Sequence, residues 1–207
     1  MEKYIITIAR QYGSGGKIIG EMLAKLLEIP CYNREILKMA SEDSGINESL
    51  FNQVDEKLNL SVLHRFLKKS DTKRAVLSPE DDDFTSEENL FNYQAKIIKE
   101  LAEQESCVIM GRCADFILKE HPRVIRVFIW ADEEFCLKTA MQRSSMSETE
   151  TKKFIAKTDK YRSNFYKYHT GHEWTNVKNY DLCLNSGKLG IEKCVEIIKD
   201  YKKIKED

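Results

Sequence analysis

The sequence has no excess of charge and few residues of the kinds that mark specialised folds. Lysine and arginine number 33 against 34 aspartates and glutamates, for a net charge of −1. No global charge therefore favours nucleic acid or a membrane surface as a partner. Proline occurs three times, and none of the six cysteines forms a C-x-x-C pair.

Long apolar segments are also missing. There is no apolar segment near Met1 of the kind that a secretory signal needs, and no run long enough to span a bilayer. We therefore expect a cytoplasmic protein that acts without a membrane. In that compartment we interpret the cysteines, several of which fall inside apolar runs (Cys107, Cys183), as reduced core residues.

Glycine is scarce but concentrated. Four of the nine glycines fall between positions 13 and 20. They follow a short apolar run at 4–9, typical of a buried strand, and precede a pattern of helical spacing that begins at Lys17. A strand, a glycine-rich turn and a helix together offer backbone N–H groups to an anion. We interpret 13–17 as a phosphate-binding loop.

The loop departs from the Walker A pattern, G-x-x-x-x-G-K-[ST]. If Gly16 and Lys17 are taken as its glycine–lysine pair, Gln11 replaces the first glycine and Ile18 the hydroxyl residue. If 13–15 is aligned instead, Gly16 stands at the lysine and Lys17 at the hydroxyl position. A βα turn that binds nothing is the simpler alternative.

The rest of the chain alternates strands with helices. Further strands are predicted at 28–32, 107–110, 123–130 and 180–184, and a polar helix at 147–168. A charged helical region extends from Arg34 to about Leu77, with a helix start near Asn47 and apolar positions at Leu58, Val62 and Phe66. An exposed acidic loop at 78–83 precedes a helix that a capping box opens at 85–88. We predict one domain, 1–207, of the α/β class, a three-layer sandwich with a parallel sheet of about five strands and helices on both faces.

Several motifs occur where a cytidylate kinase carries its own. They are QYGSGGK after the first strand, Tyr32-Asn33-Arg34 after the second, Gly111-Arg112 after the third, and 159–162 in the polar helix. On these motifs the chain resembles the cytidylate kinase-like proteins among the P-loop nucleoside monophosphate kinases. Cys113 replaces the aspartate of their G-R-D motif, with Asp115 two places later.

The resemblance implies an insertion for the monophosphate at 34–85, a lid at 142–172, and ATP and Mg²⁺ as cofactors. The substrates would be small-molecule nucleotides. Backbone N–H groups of Gly13, Ser14, Gly15, Gly16 and Lys17 would hold the donor phosphates. Lys17 would supply the charge of a Walker lysine, and Ser14 would bind Mg²⁺.

The same resemblance implies an acceptor site and a set of lid residues. Arg112 would hold the acceptor phosphate bidentately, beside Asn33, Arg34 and Asp159. Arg143 and Arg162 would be brought in by lid closure to neutralise the transition state.

Two functions remain open at this stage. The first is ATP-dependent phosphoryl transfer to a small phosphorylated acceptor, most simply a (deoxy)cytidine monophosphate-like nucleotide, or on the same scaffold a kinase for another small metabolite. The second is a nucleotide-binding regulatory or sensor module that does not catalyse. Loop irregularity favours the second, and Arg112 with the basic lid-like helix favours the first. The sequence does not specify the acceptor or the oligomeric state.

Overall fold

A computed structural model describes residues 3–56 and 76–206. The predicted apolar positions Leu58, Val62 and Phe66 lie outside these residues. The strands are Ile5–Arg10 (β1), Cys31–Tyr32 (β2), Cys107–Met110 (β3), Val124–Trp130 (β4) and Leu182–Asn185 (β5). The helices are Gly16–Leu27 (α1), Glu35–Ser44 (α2), Glu48–Glu56 (α3), Glu87–Gln104 (α4), Ala114–Ile117 (α5), Glu133–Met141 (α6), Glu148–Thr170 (α7), Ser186–Leu189 (α8) and Ile191–Glu206 (α9).

The five strands form one parallel sheet in the order β2-β3-β1-β4-β5. β1 is central, pairing with β3 from Ile5 opposite Cys107 and with β4 from Ile5 opposite Val124. All carboxyl ends therefore meet at one edge of the sheet, where open α/β folds collect their ligands. The predicted α/β fold with a five-stranded parallel sheet is confirmed.

Helices cover both faces of this sheet. Along β3, Cys107 and Ile109 pack into the core beneath α2 and α4, whereas Val108 and Met110 pack into the core with α1 and α9. This alternation is the period-two pattern of a strand, and burial on both faces explains why β3 is apolar throughout.

Helix α7 is long and polar, and most of its buried residues lie in its second half, although Thr151 in the first turn is also buried. Ser147 begins it with a capping box, in which the Ser147 side chain accepts a hydrogen bond from the Glu150 N–H and the Glu150 side chain accepts one from the Ser147 N–H. Phe154 in the first half is 41% exposed, while Phe165, Tyr166 and His169 are buried. They join an aromatic cluster with Phe91, Phe128, Trp174 and Tyr180. The lid-like segment thus has one end fixed in the core.

Three local features differ from the sequence predictions. The region after Arg34 is broken at Gly45, which ends α2 in a left-handed conformation. The cap of α4 is Ser86, one residue after the expected Thr85. Cys183 is exposed, which corrects its interpretation as a core residue, because β5 is an edge strand and Cys183 points away from the packed face. Across the described ranges, no helix is long and apolar enough to cross a membrane.

Candidate active site

The loop between β1 and α1 is held in a conformation that needs glycine. Gly15 is the cap residue of α1 and has a φ of 75°, in the left-handed region that L side chains rarely adopt. A Cβ added there would also collide with the side chain of Ile191 on α9. The loop therefore lies close against the body of the protein without a side chain between them.

The loop leaves a run of backbone donors unused. Within 3–56 and 76–206, the N–H groups of Gly13, Gly15, Gly16, Lys17 and Ile18 have no hydrogen-bond acceptor. α1 has twelve residues, no acidic residue in its first turn and no side-chain cap. Unsatisfied amides and the positive end of the helix dipole favour an anion at this position.

Ser14 serves the loop itself. Its side chain is fully buried, and its Oγ donates a hydrogen bond to the Gln11 carbonyl at 2.9 Å. Its carbonyl accepts a 2.5 Å bond from the Ser186 hydroxyl, which also bonds the Trp130 carbonyl at 3.1 Å. These bonds tie the loop to the carboxyl ends of β4 and β5. The role of Ser14 as an Mg²⁺ ligand stays an untested prediction, and its hydroxyl is already engaged.

Lys17 lies on the exposed side of α1. Its side chain is 58% exposed and pairs with Glu21 one turn later, at 3.5 Å. Its charge also reaches Glu35, where it helps backbone hydrogen bonds to hold the pKa of that carboxyl below its ordinary value. Lys17 therefore belongs to the side of the site near β2 and α2.

The turn after β3 has an unusual backbone. Gly111, Arg112 and Cys113 all adopt left-handed conformations, with φ of 72°, 60° and 53°. A non-glycine residue in this region costs about 1–2 kcal/mol. Arg112 is half-buried at this turn, directly beyond the end of β3. Two strained residues at the carboxyl edge mark this turn as a functional candidate.

Two of the residues predicted beside Arg112, Asn33 and Arg34, directly precede helix α2. Asn33 is half-buried, and its N–H donates to the Glu35 carboxylate at 2.8 Å. Arg34 is the cap residue of α2 and is exposed. Because β2 pairs with β3, both residues lie at the same sheet edge as Arg112.

Two residues of α7 are bonded to the backbone of the phosphate loop. The Asp159 carboxylate accepts a hydrogen bond from the Tyr12 N–H at 2.8 Å. Arg162 Nη1 donates to the Arg10 carbonyl at 3.0 Å and lies 3.4 Å from Asp159 Oδ1. Burial raises the pKa of Asp159, and the Tyr12 N–H and the charges of Arg162 and Arg10 oppose that rise. The structure thus brings Asp159 and Arg162 to the phosphate loop. Asp159 as an acceptor residue and Arg162 as a catalytic lid residue stay predictions.

Arg143 is not brought to the loop in the same way. It follows α6, its side chain is exposed, and no ion pair joins it to any other residue of the described chain. Its place in catalysis stays a prediction.

Asp115 does not replace the missing aspartate of the Gly111-Arg112 motif. It is 3% exposed in α5 and accepts a 2.6 Å hydrogen bond from the Tyr166 hydroxyl. Burial raises the pKa of its carboxyl to about 6. Asp115 therefore anchors α7 in the aromatic cluster and does not line the loop.

Arg10 is a site residue that the sequence motifs missed. It is the last residue of β1, is half-buried, and its side chain crosses the first residue of α1 toward Gly111. The available signal was its place at the first glycine of the Walker A pattern, when Gly16 is aligned with the lysine.

The sequence matches the model of the cytidylate kinase-like family over residues 5–188. No curated protein matches the chain. Among solved structures, an uncharacterized protein from Eubacterium ventriosum ATCC 27560 is similar, with 26% identity and a TM-score of 0.71 over 97% of this chain and 99% of that one. Shikimate kinase from Bacteroides thetaiotaomicron has 14% identity and a TM-score of 0.54 over 97% and 98% of the two chains. The second likeness shows a shared fold.

Proposed function

We propose that this chain, which belongs to the cytidylate kinase-like family, transfers the γ-phosphoryl group of ATP to a small phosphorylated acceptor. Membership of the family supports a small-molecule kinase. The finer proposal is that the acceptor is a (deoxy)cytidine monophosphate-like nucleotide. The observation that carries the proposal of phosphoryl transfer from ATP is the run of unused N–H groups from Gly13 to Ile18 at the carboxyl edge of β1.

The donor side fits a polyphosphate chain. Five backbone N–H groups without acceptors converge on the start of α1, where they would bind and orient the β- and γ-phosphates. ATP supplies the phosphoryl group. Mg²⁺ fits less directly, because the Ser14 hydroxyl is buried and bonded and no cluster of three metal-ligating side chains occurs in the described ranges. Mg²⁺ would therefore be bound mainly through the phosphates of the nucleotide.

The acceptor side is proposed at the ends of β2 and β3. Arg112 would bind the acceptor phosphate with two parallel N–H donors, which a lysine does not offer. Asn33 and Arg34 lie at the neighbouring strand end and would contact the rest of the acceptor. This placement puts the acceptor beside the donor loop, as in-line transfer requires.

Helix α7 would close the site. Arg162 already lies against the loop backbone at Arg10, and Asp159 orients it from 3.4 Å. From that place its guanidinium could turn toward the transferring phosphoryl group. Arg143, on the segment before α7, would approach only if the first half of α7 moves over the site.

A non-catalytic module is the second candidate. When 13–15 is aligned with the Walker A pattern, Gly16 stands at the position of the lysine. Lys17 is exposed and paired with Glu21. On this reading the loop binds a nucleotide but lacks the charge that activates it. A kinase for another small metabolite would share the donor site and differ only at the acceptor.

The test is a panel of acceptors assayed with ATP and Mg²⁺. We expect coupled ADP release with CMP or dCMP, and a loss of about 10²-fold or more in kcat/KM for Arg112→Ala. Arg123→Ala is the matched control, because Arg123 precedes β4 at the opposite edge of the sheet. ATP binding without turnover on any monophosphate would favour the non-catalytic module. No binding of ATP, GTP or pyrophosphate would refute both.

A further inference from the structure

The loop exchanges a glycine and a cation relative to the Walker A pattern. With Gly15 and Gly16 aligned to its glycine–lysine pair, Arg10 falls at the first glycine of the pattern, five positions before Gly15. A glycine therefore stands where the lysine is expected, and a cationic residue stands where a glycine is expected. Both changes occur within seven residues of one loop.

The structure shows that these two positions share one space. A Cβ added to Gly16 would lie 2.5 Å from Arg10 Cβ and 3.0 Å from Arg10 Cγ. The stem of Arg10 thus fills the volume into which a side chain at Gly16 would project. Gly16 has no positive φ, so this close approach is the reason for glycine here.

The far end of Arg10 reaches the turn after β3. Arg10 Nη1 lies against Gly111, at the place where a Cβ on that glycine would stand. Gly111 directly precedes Arg112, the proposed acceptor arginine. The side chain of Arg10 therefore extends from the start of α1 to the turn that carries Arg112, that is, from the proposed donor side to the proposed acceptor side.

Charge effects place Arg10 at the same centre. Burial raises the pKa of Asp159 on α7 and that of the Cys31 thiol, the first residue of β2, and the positive charge of Arg10 opposes the rise at both groups. The Arg10 carbonyl also accepts the hydrogen bond from Arg162. Residues from β2, β3 and α7 thus surround this one arginine.

Lys17 has a different environment. It is the second residue of α1, its side chain is 58% exposed, and it pairs with Glu21 on the outer face of the helix. A cation that neutralises a transferring phosphoryl group acts best where water is excluded. Arg10, which is half-buried at the sheet edge, meets this condition better than Lys17.

We propose that Arg10, and not Lys17, is the cation that binds the γ-phosphate of the donor and neutralises it during transfer. This inference rests on the proposed function. An acceptor phosphate oxygen forms a bond to the γ-phosphorus, and the bond from that phosphorus to the β,γ-bridging oxygen breaks. Its electron pair leaves with ADP. The N–H groups of Arg10 donate to the non-bridging oxygens and transfer no proton.

The first test measures binding without turnover. Dissociation constants for ATP and for pyrophosphate are measured by calorimetry on the full chain and on Arg10→Met, Lys17→Met and Arg123→Met. We expect Arg10→Met to weaken ATP binding about 10- to 100-fold. Lys17→Met should cost less than about a third of that factor, and Arg123→Met should bind as the wild type does. Thermal melts confirm that each variant is folded.

The second test exchanges the two positions. Gly16→Lys alone should bind ATP poorly, because the new side chain meets the stem of Arg10. The double variant Arg10→Gly/Gly16→Lys should regain at least about tenfold in ATP affinity over Arg10→Gly. No recovery in a double variant that melts as the wild type does would overturn the inference that one cation site is shared.

The outcomes separate the two proposals. An ATP affinity in Arg10→Met within about twofold of the wild type, with a large loss in Lys17→Met, overturns the role of Arg10 and leaves the kinase proposal standing. If the wild type binds ATP but turns over no acceptor, the kinase proposal fails while the binding measurements still decide on Arg10. If the wild type binds neither ATP nor pyrophosphate, both proposals fail.

Discussion

Replacing Tyr166 by phenylalanine should weaken the attachment of α7 in a way that depends on pH. The Tyr166 hydroxyl donates to Asp115 Oδ2 at 2.6 Å, and both residues are 3% exposed. The charge of Arg126 on β4 also favours the ionised carboxyl of Asp115. Tyr166→Phe removes the hydrogen bond to Asp115 and adds no volume.

The pH dependence of this loss of stability follows from the pKa of Asp115. Burial raises it from an ordinary value of 3.8 to about 6. Between these values the folded state binds more protons than the unfolded state, so stability falls as pH rises and levels off above about 6. Losing the Tyr166 hydrogen bond raises the folded pKa further and increases this loss. At about pH 7.5 the carboxylate is charged, and the substitution should cost about 1.5–3 kcal/mol. At about pH 4.5 the folded carboxyl is protonated, and the cost should be about 1 kcal/mol.

Urea unfolding at both pH values measures these differences. Tyr201→Phe is the control, since it removes a phenol hydroxyl from α9, in the core on the other face of the sheet. That variant should change stability by less than about 0.5 kcal/mol at either pH. Equal costs of Tyr166→Phe at the two pH values would refute the reasoning, because they would mean that the bond does not depend on the charge of Asp115.

Three further substitutions test other parts of the structure. Gly16→Ala should weaken ATP binding by about tenfold or more, because its Cβ would lie 2.5 Å from Arg10 Cβ. Calorimetry checks this against Gly45→Ala, whose Cβ meets no atom within 4 Å and whose left-handed φ of 72° should lower stability without lowering ATP affinity. Asp181→Asn should cost about 1–3 kcal/mol at neutral pH, since Asp181 Oδ1 accepts a 2.7 Å bond from Arg126 Nη2. The bonds from Arg126 lower the pKa of Asp181 despite burial, so in urea unfolding this cost should shrink as pH falls below about 4, and a constant cost would contradict the ion pair. Ser147→Ala should cost about 1 kcal/mol in thermal unfolding by removing the capping box of α7, and no change would mean that the first turn of α7 adds nothing to stability.

The strands were predictable because buried strands have a recognisable local composition. β3 and β4 are short apolar runs with β-branched residues, and burial on both faces leaves no polar alternation to mislead. β2 is shorter than predicted, because only Cys31 and Tyr32 pair with β3. The exposure of Cys183 could not be predicted, since an edge strand reads like a central one until its neighbours are known.

The loop was predictable as a candidate phosphate site, and the cation proposed for it was not. Glycine density and the change from strand to helix are local signals, and they located 13–17. Motif spacing indicates Lys17, because it is adjacent to Gly16 in sequence. The competing residue, Arg10, lies six positions before Gly16 and contacts it only through the path of its side chain. Motif spacing does not describe such a path, so the exchange of glycine and cation becomes visible only in three dimensions.

The contacts of α7 explain why an arginine could act from β1. Arg162 donates a hydrogen bond to the Arg10 carbonyl, and the Asp159 carboxylate accepts one from the Tyr12 N–H, two residues further along the loop. These bonds fix the backbone on which the Arg10 side chain stands. An anion at the unused amides would lie near the Asp159 carboxylate, and the charges of Arg10 and Arg162 between them would offset the repulsion. The helix would therefore bound the proposed donor site from one side while its second half stays anchored through Tyr166 and Asp115.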